Sequence, residues 1–196
     1  MSRQVPRWTG EPDSFVDELF AWITACGGSR YDAAVTQLEH GLQTADNAAR
    51  DGAPDAEVAA ALLHDVGHFL VGEDQAQNAF LAQDLRHEQV GAHWLATFLP
   101  FDVTEPIRLH VTAKRYLCAV DASYWRGLSS SSRQSLVVQG GPMSTEEQRV
   151  FDTLPAAKAA LALRRRDDLG KVRGRVVPPL DSYCDSVRLL LKSRMS

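Results

Sequence analysis

The segment Leu62-Leu63-His64-Asp65-Val66-Gly67-His68 sets a histidine and a carboxylate side by side. At a helix end the two can turn onto one metal ion, and His68, one helical turn on, is close enough to reach a ligand of that metal. The chain has only 6 histidines, and four of them (His40, His64, His87 and His110) fall about 23 residues apart. That interval is one helix plus a connection, so each helix can present one imidazole to a shared centre. Neutral imidazole and carboxylate are what iron, manganese or zinc take from a protein. A late aspartate, Asp167 or Asp168, completes the candidate ligands. The set is larger than one ion with an open position can use. It suits two ions, with Asp65 bridging through its two oxygens, which in dinuclear sites holds the metals about 3.5–4 Å apart. A lone helical histidine is more often a core or surface residue, and His93 reads as one.

The elements that must position these residues are helical almost throughout. Asp13 or Ser14 can cap a helix with Phe15, Leu19, Phe20 and Ile23 on one face, ended by Cys26-Gly27-Gly28-Ser29. A second helix runs from about Thr36 to Arg50, with Gly52 as its stop. A third, from Asp55 to Leu63, is almost wholly apolar, which predicts a central, buried helix broken by the His-Asp segment. A fourth spans about Asp84 to Phe98. Thr104-Glu105-Pro106 offers cap, acid and first-turn proline for a fifth, to about Val120. Ser144-Thr145-Glu146-Glu147 is a capping box for a sixth. Pro155 opens a seventh, to about Arg166, and the last spans Asp181 to Lys192. Lys171 to Pro179 reads as irregular, and the serine run Ser129 to Ser132 as a loop and helix cap. Residues 1–12 read as a loose N-terminal tail and 13–196 as one all-α bundle.

The bulk numbers narrow the function. At 196 residues the chain is one domain with an ordinary hydrophobic content of 44%. A net charge of −4 supplies no broad basic field, so nucleic acid is not an expected partner. Three widely spaced cysteines, Cys26, Cys118 and Cys184, form no CxxC pair. They argue for reduced thiols and a cytoplasmic setting. No signal-peptide pattern opens the chain, and no run approaches the roughly 18 apolar residues of a membrane span.

The arrangement His40…His64-Asp65…His87…His110…Asp167 resembles the HD-domain superfamily in its expanded, dinuclear form. More narrowly, the chain resembles the HD-domain mixed-valence di-iron oxygenases of organophosphonate breakdown, relatives of myo-inositol oxygenase. The likeness extends to Val35-Thr36-Gln37-Leu38-Glu39-His40, to the segment from His110 through Lys114 to Cys118, to the string from Ser135 through Gln139-Gly140-Gly141-Pro142 to Ser144, and to Leu163-Arg164-Arg165-Arg166-Asp167-Asp168. It covers residues 30–170. The resemblance implies an HD-domain helical bundle with a central Fe(II)/Fe(III) pair and dioxygen as co-substrate. His40, His64, Asp65 and Asp167 would serve one iron; Asp65, His87 and His110 the other. Asp167 matches the first Asp of the family's Arg-Arg-Trp-Asp-Asp. Arg166 stands in place of the Trp, and Asp168 becomes a supporting or surface carboxylate.

The resemblance also implies a substrate: 1-hydroxy-2-(trimethylammonio)ethylphosphonate or 2-amino-1-hydroxyethylphosphonate, cleaved to phosphate and glycine betaine or glycine. An upstream phosphonate hydroxylase would share the pathway. Lys114 follows His110 by four residues, so both project from one helix face, and a lysine ammonium suits a phosphonyl group. His68 matches a substrate-contacting residue, making it a catalytic candidate beside His64 and Asp65. Ser132 and Ser135 match hydroxyl donors, and Arg164 a nearby basic residue. In the family a tyrosine and a glutamate precede the first-ligand helix, the first occupying an open iron position until substrate arrives, the second holding the amine. Tyr31 takes the tyrosine's place. No glutamate stands at the expected position, which leaves Asp32 as its substitute. A trimethylated amine cannot donate a hydrogen bond and favours aromatic faces, for which Tyr31, Tyr116, Tyr124 and Trp125 are candidates. Two further readings are a metal-dependent HD phosphohydrolase using a metal-bound hydroxide, and a non-catalytic HD-type binding module.

Overall fold

The computed structural model describes residues 4–72 and 84–193. Helix α1 (Pro12–Cys26) begins on a proline, whose missing N–H has no helical partner there in any case, and buries Phe15, Leu19, Phe20, Trp22 and Ile23. Residues 4–11 hold no helix, yet Trp8 meets Phe15 edge-on at 5.0 Å and Phe98 at 6.2 Å. The expected loose tail is therefore pinned to the core at Trp8; its residues 1–3 lie outside the described residues.

Helix α2 (Gln37–Arg50) starts with a reciprocal capping box between Thr36 and Glu39. Helix α3 (Asp55–Leu63) buries every residue from Val58 to Leu63, as its apolar sequence predicts. After the break at His64–Val66 comes the short α4 (Gly67–Leu70). Gly67 sits so close to the next helix that a Cβ on it would lie 1.9 Å from the His87 carbonyl oxygen. Only glycine permits that approach, which presses the His-Asp break against the start of α5 (His87–Leu95).

Helix α5 is shorter than the expected Asp84-to-Phe98 span. Arg86, just before it, is left-handed at φ 52°, and Asp84 Oδ1 accepts from the Arg86 amide. A non-glycine residue at positive φ costs of order 1 kcal/mol and is commonest where function over-determines the backbone. Helix α6 (Phe101–Val120) starts earlier than expected, because Pro106 stands inside it rather than in its first turn, and Thr104 bonds back to the Pro100 carbonyl instead of capping.

Helix α7 (Ala122–Gly127), capped by Asp121, carries no sequence expectation; α8 (Ser130–Val138) takes its cap, Ser129, from the serine run, whose other three residues are helical rather than loop. Helix α9 (Thr145–Asp152) has its capping box at Ser144 and Glu147. Helix α10 (Ala157–Asp168), a 3₁₀ turn at Leu180–Tyr183 and α11 (Cys184–Ser193) complete the chain.

Helix α3 lies among α2, α6, α10 and α11; α5 bridges α4 and α6; α1 and α11 pair on the outside. The main apolar core fills this bundle, and a smaller cluster around Leu109, Met143 and Phe151 seats α9. Among the described residues there is no strand, only an isolated bridge between Arg30 and Thr36, and no helix long and apolar enough to cross a membrane.

Candidate metal centre

Helix α2 supplies His40, the end of α3 His64 and Asp65, the first turn of α5 His87, the middle of α6 His110, and the last turn of α10 Asp167. All six are buried. The carboxylate of Asp65 divides them. Its Oδ2 lies 3.5 Å from His40 Nε2 and 3.4 Å from His64 Nε2. Its Oδ1 lies 3.6 Å from His87 Nε2, 3.7 Å from His110 Nε2 and 3.8 Å from His68 Nε2. Asp167 joins the first side, with Oδ1 at 3.2 Å from His40 Nε2.

The protons are equally ordered. Nδ1 of His40, His64 and His110 stands 2.9, 2.9 and 2.7 Å from the carbonyls of Gly170, Ala61 and Ile107. A carbonyl only accepts, so each Nδ1 carries the hydrogen and each Nε2 turns a lone pair inward. The lone pairs of His40 and His64 crowd one another, with the two Nε2 atoms 3.1 Å apart, and that of His110 faces His87 Nε2 at 3.3 Å. Crowded acceptors repel unless a cation lies between them. Burial holds the His64 and His87 imidazoles below their ordinary range and takes His110 to about 3. These three rings are therefore neutral nitrogen donors rather than imidazolium ions.

Burial alone would raise the Asp65 carboxyl, but His64, His68, His87 and His40 together pull it far below the usual range. Asp167 is likewise pushed up by burial and pulled further down by Arg164, Lys171 and His40. Its Oδ1 is buried without a hydrogen-bond partner. Neutral nitrogens, ionised carboxylates and an orphaned oxygen suit a pair of cations, one on each side of Asp65.

A narrow cavity of about 50 Å³ opens beside Asp65, His68, His87 and His110, with Tyr31, Lys114, Ser132, Ser135 and Arg164 on its walls. Lys114 donates to Ser135 Oγ at 3.0 Å. Burial and then Arg164 push its ammonium down to about 7. Ser135 Oγ passes its own hydrogen to the Ser132 carbonyl. The His68 ring stacks on His87 at 3.9 Å. Tyr31 stacks on His40, centroids 3.8 Å apart, beneath the Lys171 ammonium.

Several expected partners point elsewhere. Asp32 is not on the cavity wall; its Oδ1 accepts from the Ala34 and Val35 amides, closing a turn before α2. Tyr116 packs on Phe151, Tyr124 bonds Arg164 and Asp168, and Trp125 is 41% exposed under Arg133. No aromatic cage forms among the described residues. Arg164 reaches the cavity, but Asp167 and Asp168 already hold its guanidinium. Arg166 faces away from the centre, tying α10 to Asp51 and Glu57.

Four residues near the site carried no individual assignment from sequence. Gln37 and Gln139 line the cavity, each with a buried Oε1 that has no partner. Glu88 buries its carboxylate 3.7 Å from His87 Nδ1. Lys171 stands 3.6 Å from Asp167 Oδ1. A glutamate directly after a candidate ligand, and a lysine one turn after another, were the available signals.

Residues 36–151 match the model of the HD domain. The chain is 49% identical over 181 residues to a hydroxymethylphosphonate dioxygenase of Gimesia maris, covering 92% of this chain and 90% of that protein. It is 38% identical over 161 residues to a glycine-betaine-forming [1-hydroxy-2-(trimethylamino)ethyl]phosphonate dioxygenase of Leisingera caerulea, covering 82% of each. The chain belongs to the HD-domain phosphonate oxygenase family. An uncharacterized mimivirus protein, L432, is 36% identical over 160 residues, or 80% of this chain and 73% of its own. Within the family frame the HD match holds His40 to His110 but stops short of Asp167, which α10 brings back across α2 and α6.

Proposed function

We propose that this chain is a dioxygen-dependent di-iron oxygenase that cleaves the carbon–phosphorus bond of a small 1-hydroxyphosphonate, with hydroxymethylphosphonate as its preferred substrate. One iron is assigned to His40, His64, Asp65 and Asp167, the other to Asp65, His87 and His110. The observation that carries the reading is the split of nitrogen donors between the two oxygens of Asp65, beside a cavity containing a buried lysine. When bound, the irons would relay single electrons to dioxygen and serve as a template for the substrate, whose own oxidation provides the electrons that reduce dioxygen.

The residues of the chain account for recognition. The Lys114 ammonium meets the phosphonate charge, and the hydroxyls of Ser135 and Ser132 complete the cradle. His68 faces the bridging carboxylate and the substrate together. The family resemblance favours a substrate amine or trimethylamine, but Asp32 lies off the cavity wall and no aromatic cage forms among the described residues, which supports the substrate without that arm. Cleavage of hydroxymethylphosphonate by one dioxygen balances as formate plus phosphate.

Anaerobic loading with Fe(II), followed by oxygen uptake and phosphate release with hydroxymethylphosphonate, 2-amino-1-hydroxyethylphosphonate and its N-trimethyl analogue, tests the reading. Equimolar oxygen uptake and phosphate release are expected, fastest with hydroxymethylphosphonate. Phosphate release at an unchanged rate without dioxygen would instead establish a metal-dependent phosphohydrolase. Faster turnover of either aminated substrate would overturn the substrate assignment alone.

A further inference from the structure

The two oxygens of Asp167 have unlike surroundings. Oδ2 accepts from Arg164 Nη1 at 2.6 Å. Oδ1 has no hydrogen-bond partner and faces His40 Nε2 at 3.2 Å, with the Lys171 ammonium at 3.6 Å, beyond hydrogen-bond reach. The guanidinium is fixed in turn. Its Nη2 is paired with Asp168 Oδ1, and its Nε donates to Asp168 Oδ2 at 3.2 Å and to the Tyr124 hydroxyl at 3.0 Å. Tyr124 donates its own hydrogen to Asp168 Oδ2. Arg164 is buried, and three of its guanidinium nitrogens are already engaged by protein oxygens. Two carboxylates balance its charge. A guanidinium held in this way between two carboxylates is a good rigid brace, with one N–H on each Nη left over.

We propose that Tyr124, Asp168 and Arg164 form a positioning relay that holds Asp167 with a single oxygen turned to the metal, so that Arg164 acts on the centre through Asp167. The relay starts on α7, a helix that contributes no group to the centre itself, and reaches α10 across the bundle. It explains why a tyrosine and a second aspartate accompany the ligand. If Arg164 let go, Oδ2 could swing in and chelate the metal, occupying a position that substrate or dioxygen needs. The proposal rests on the assignment of one iron to His40, His64 and Asp167.

The test uses Tyr124→Phe and Asp168→Asn in the full chain, loaded anaerobically with Fe(II) and then dialysed against a chelator of graded strength. Partners that orient a metal ligand are worth on the order of ten- to a hundredfold in metal affinity. Each variant is expected to lose one of its two irons at on the order of ten- to a hundredfold lower chelator concentration, with metal-free melting close to wild type. In the loaded enzyme kcat falls while KM for the phosphonate holds. Arg164→Lys is expected to show the same one-iron defect, with inhibition by inorganic phosphate unchanged. Wild-type iron retention in both Tyr124→Phe and Asp168→Asn would overturn the relay, as would an Arg164→Lys variant that keeps both irons and loses phosphate inhibition. Because retention is read without dioxygen or substrate, failure of the oxygenase reading is separate: it appears as absent oxygen uptake by wild-type protein that holds two irons.

Discussion

The ammonium of Lys114 donates to the hydroxyl of Ser135 at 3.0 Å, joining α6 to α8 across the mouth of the metal centre. Both residues are buried and both line the cavity. Lys114→Ala is therefore expected to keep its iron and lose substrate capture. A charge-assisted hydrogen bond contributes about 1.5–3 kcal/mol, a fall in kcat/KM of roughly ten- to two-hundredfold. Lys114→Arg should rescue only part, since a planar fork does not fit the space of a compact ammonium. Steady-state kinetics with hydroxymethylphosphonate decide it; wild-type kcat/KM in Lys114→Ala would remove the residue from the site.

The same lysine makes stability depend on pH. Burial, then Arg164, lower its ammonium to about 7, whereas in the unfolded chain lysine titrates near 10.4. Between those values the unfolded chain binds a proton that the folded chain does not, so stability rises with pH across the window. The penalty is complete below about 7 and gone above about 10.4. Metal-free Lys114→Met should melt above wild type near pH 6, with the gap closing toward pH 10. A gap that stays constant over this range would contradict the burial effect.

Asp65→Ala should lose both irons, because each of its oxygens serves a different set of nitrogens. His93→Ala should lose neither, since that ring lies on the exposed side of α5. Metal analysis after anaerobic loading checks both. Two irons per chain in Asp65→Ala would refute the bridge.

Gly67→Ala tests the contact between the His-Asp break and α5. A methyl group 1.9 Å from the His87 carbonyl oxygen has no room, and the obstacle is backbone. Overpacking of this kind costs about 3 kcal/mol or more, which corresponds to a fall in Tm of about 6–12 °C for a chain of this size. Iron retention should fall with it, because His87 moves when its carbonyl does. Gly91→Ala, whose Cβ would meet Gly67 at 3.0–3.2 Å, should be milder. Thermal melts of the pair give the ranking, and equal Tm values would count against the close approach.

Asp32→Ala should open the turn before α2, at a cost of about 1 kcal/mol, without changing the preference among phosphonates with and without an amine. Competition assays across the three substrates check this. A selective loss of the aminated ones would restore Asp32 to the substrate pocket.

Much of the helical frame can be read along the chain, since caps and apolar runs are local. The Thr36 and Ser144 capping boxes and the apolar run to Leu63 mark real helix ends and a real central helix. The exceptions have local causes that compete. Pro106 is tolerated inside α6, so the helix begins before the apparent cap at Thr104. Arg86 takes a left-handed conformation that no neighbouring residue type announces, which shortens α5. Trp8 is tied down by Phe15 and Phe98, partners that only folding brings to it.

The chemistry divides in the same way. Residue type and spacing were enough to collect His40, His64, Asp65, His87 and His110 with a late aspartate, Asp167 or Asp168, as one candidate set, because each histidine falls one helix plus a connection after the last; the family resemblance selected Asp167. Tertiary structure alone decided which oxygen of Asp65 meets which nitrogens, that Asp32 closes a turn, that Arg166 faces away from the centre and that Tyr124 braces Arg164. Those outcomes depend on side-chain direction and on contacts across α2, α6, α7 and α10. A helical period assigns a residue to a face, but which partner its polar atoms meet is set by how the faces pack.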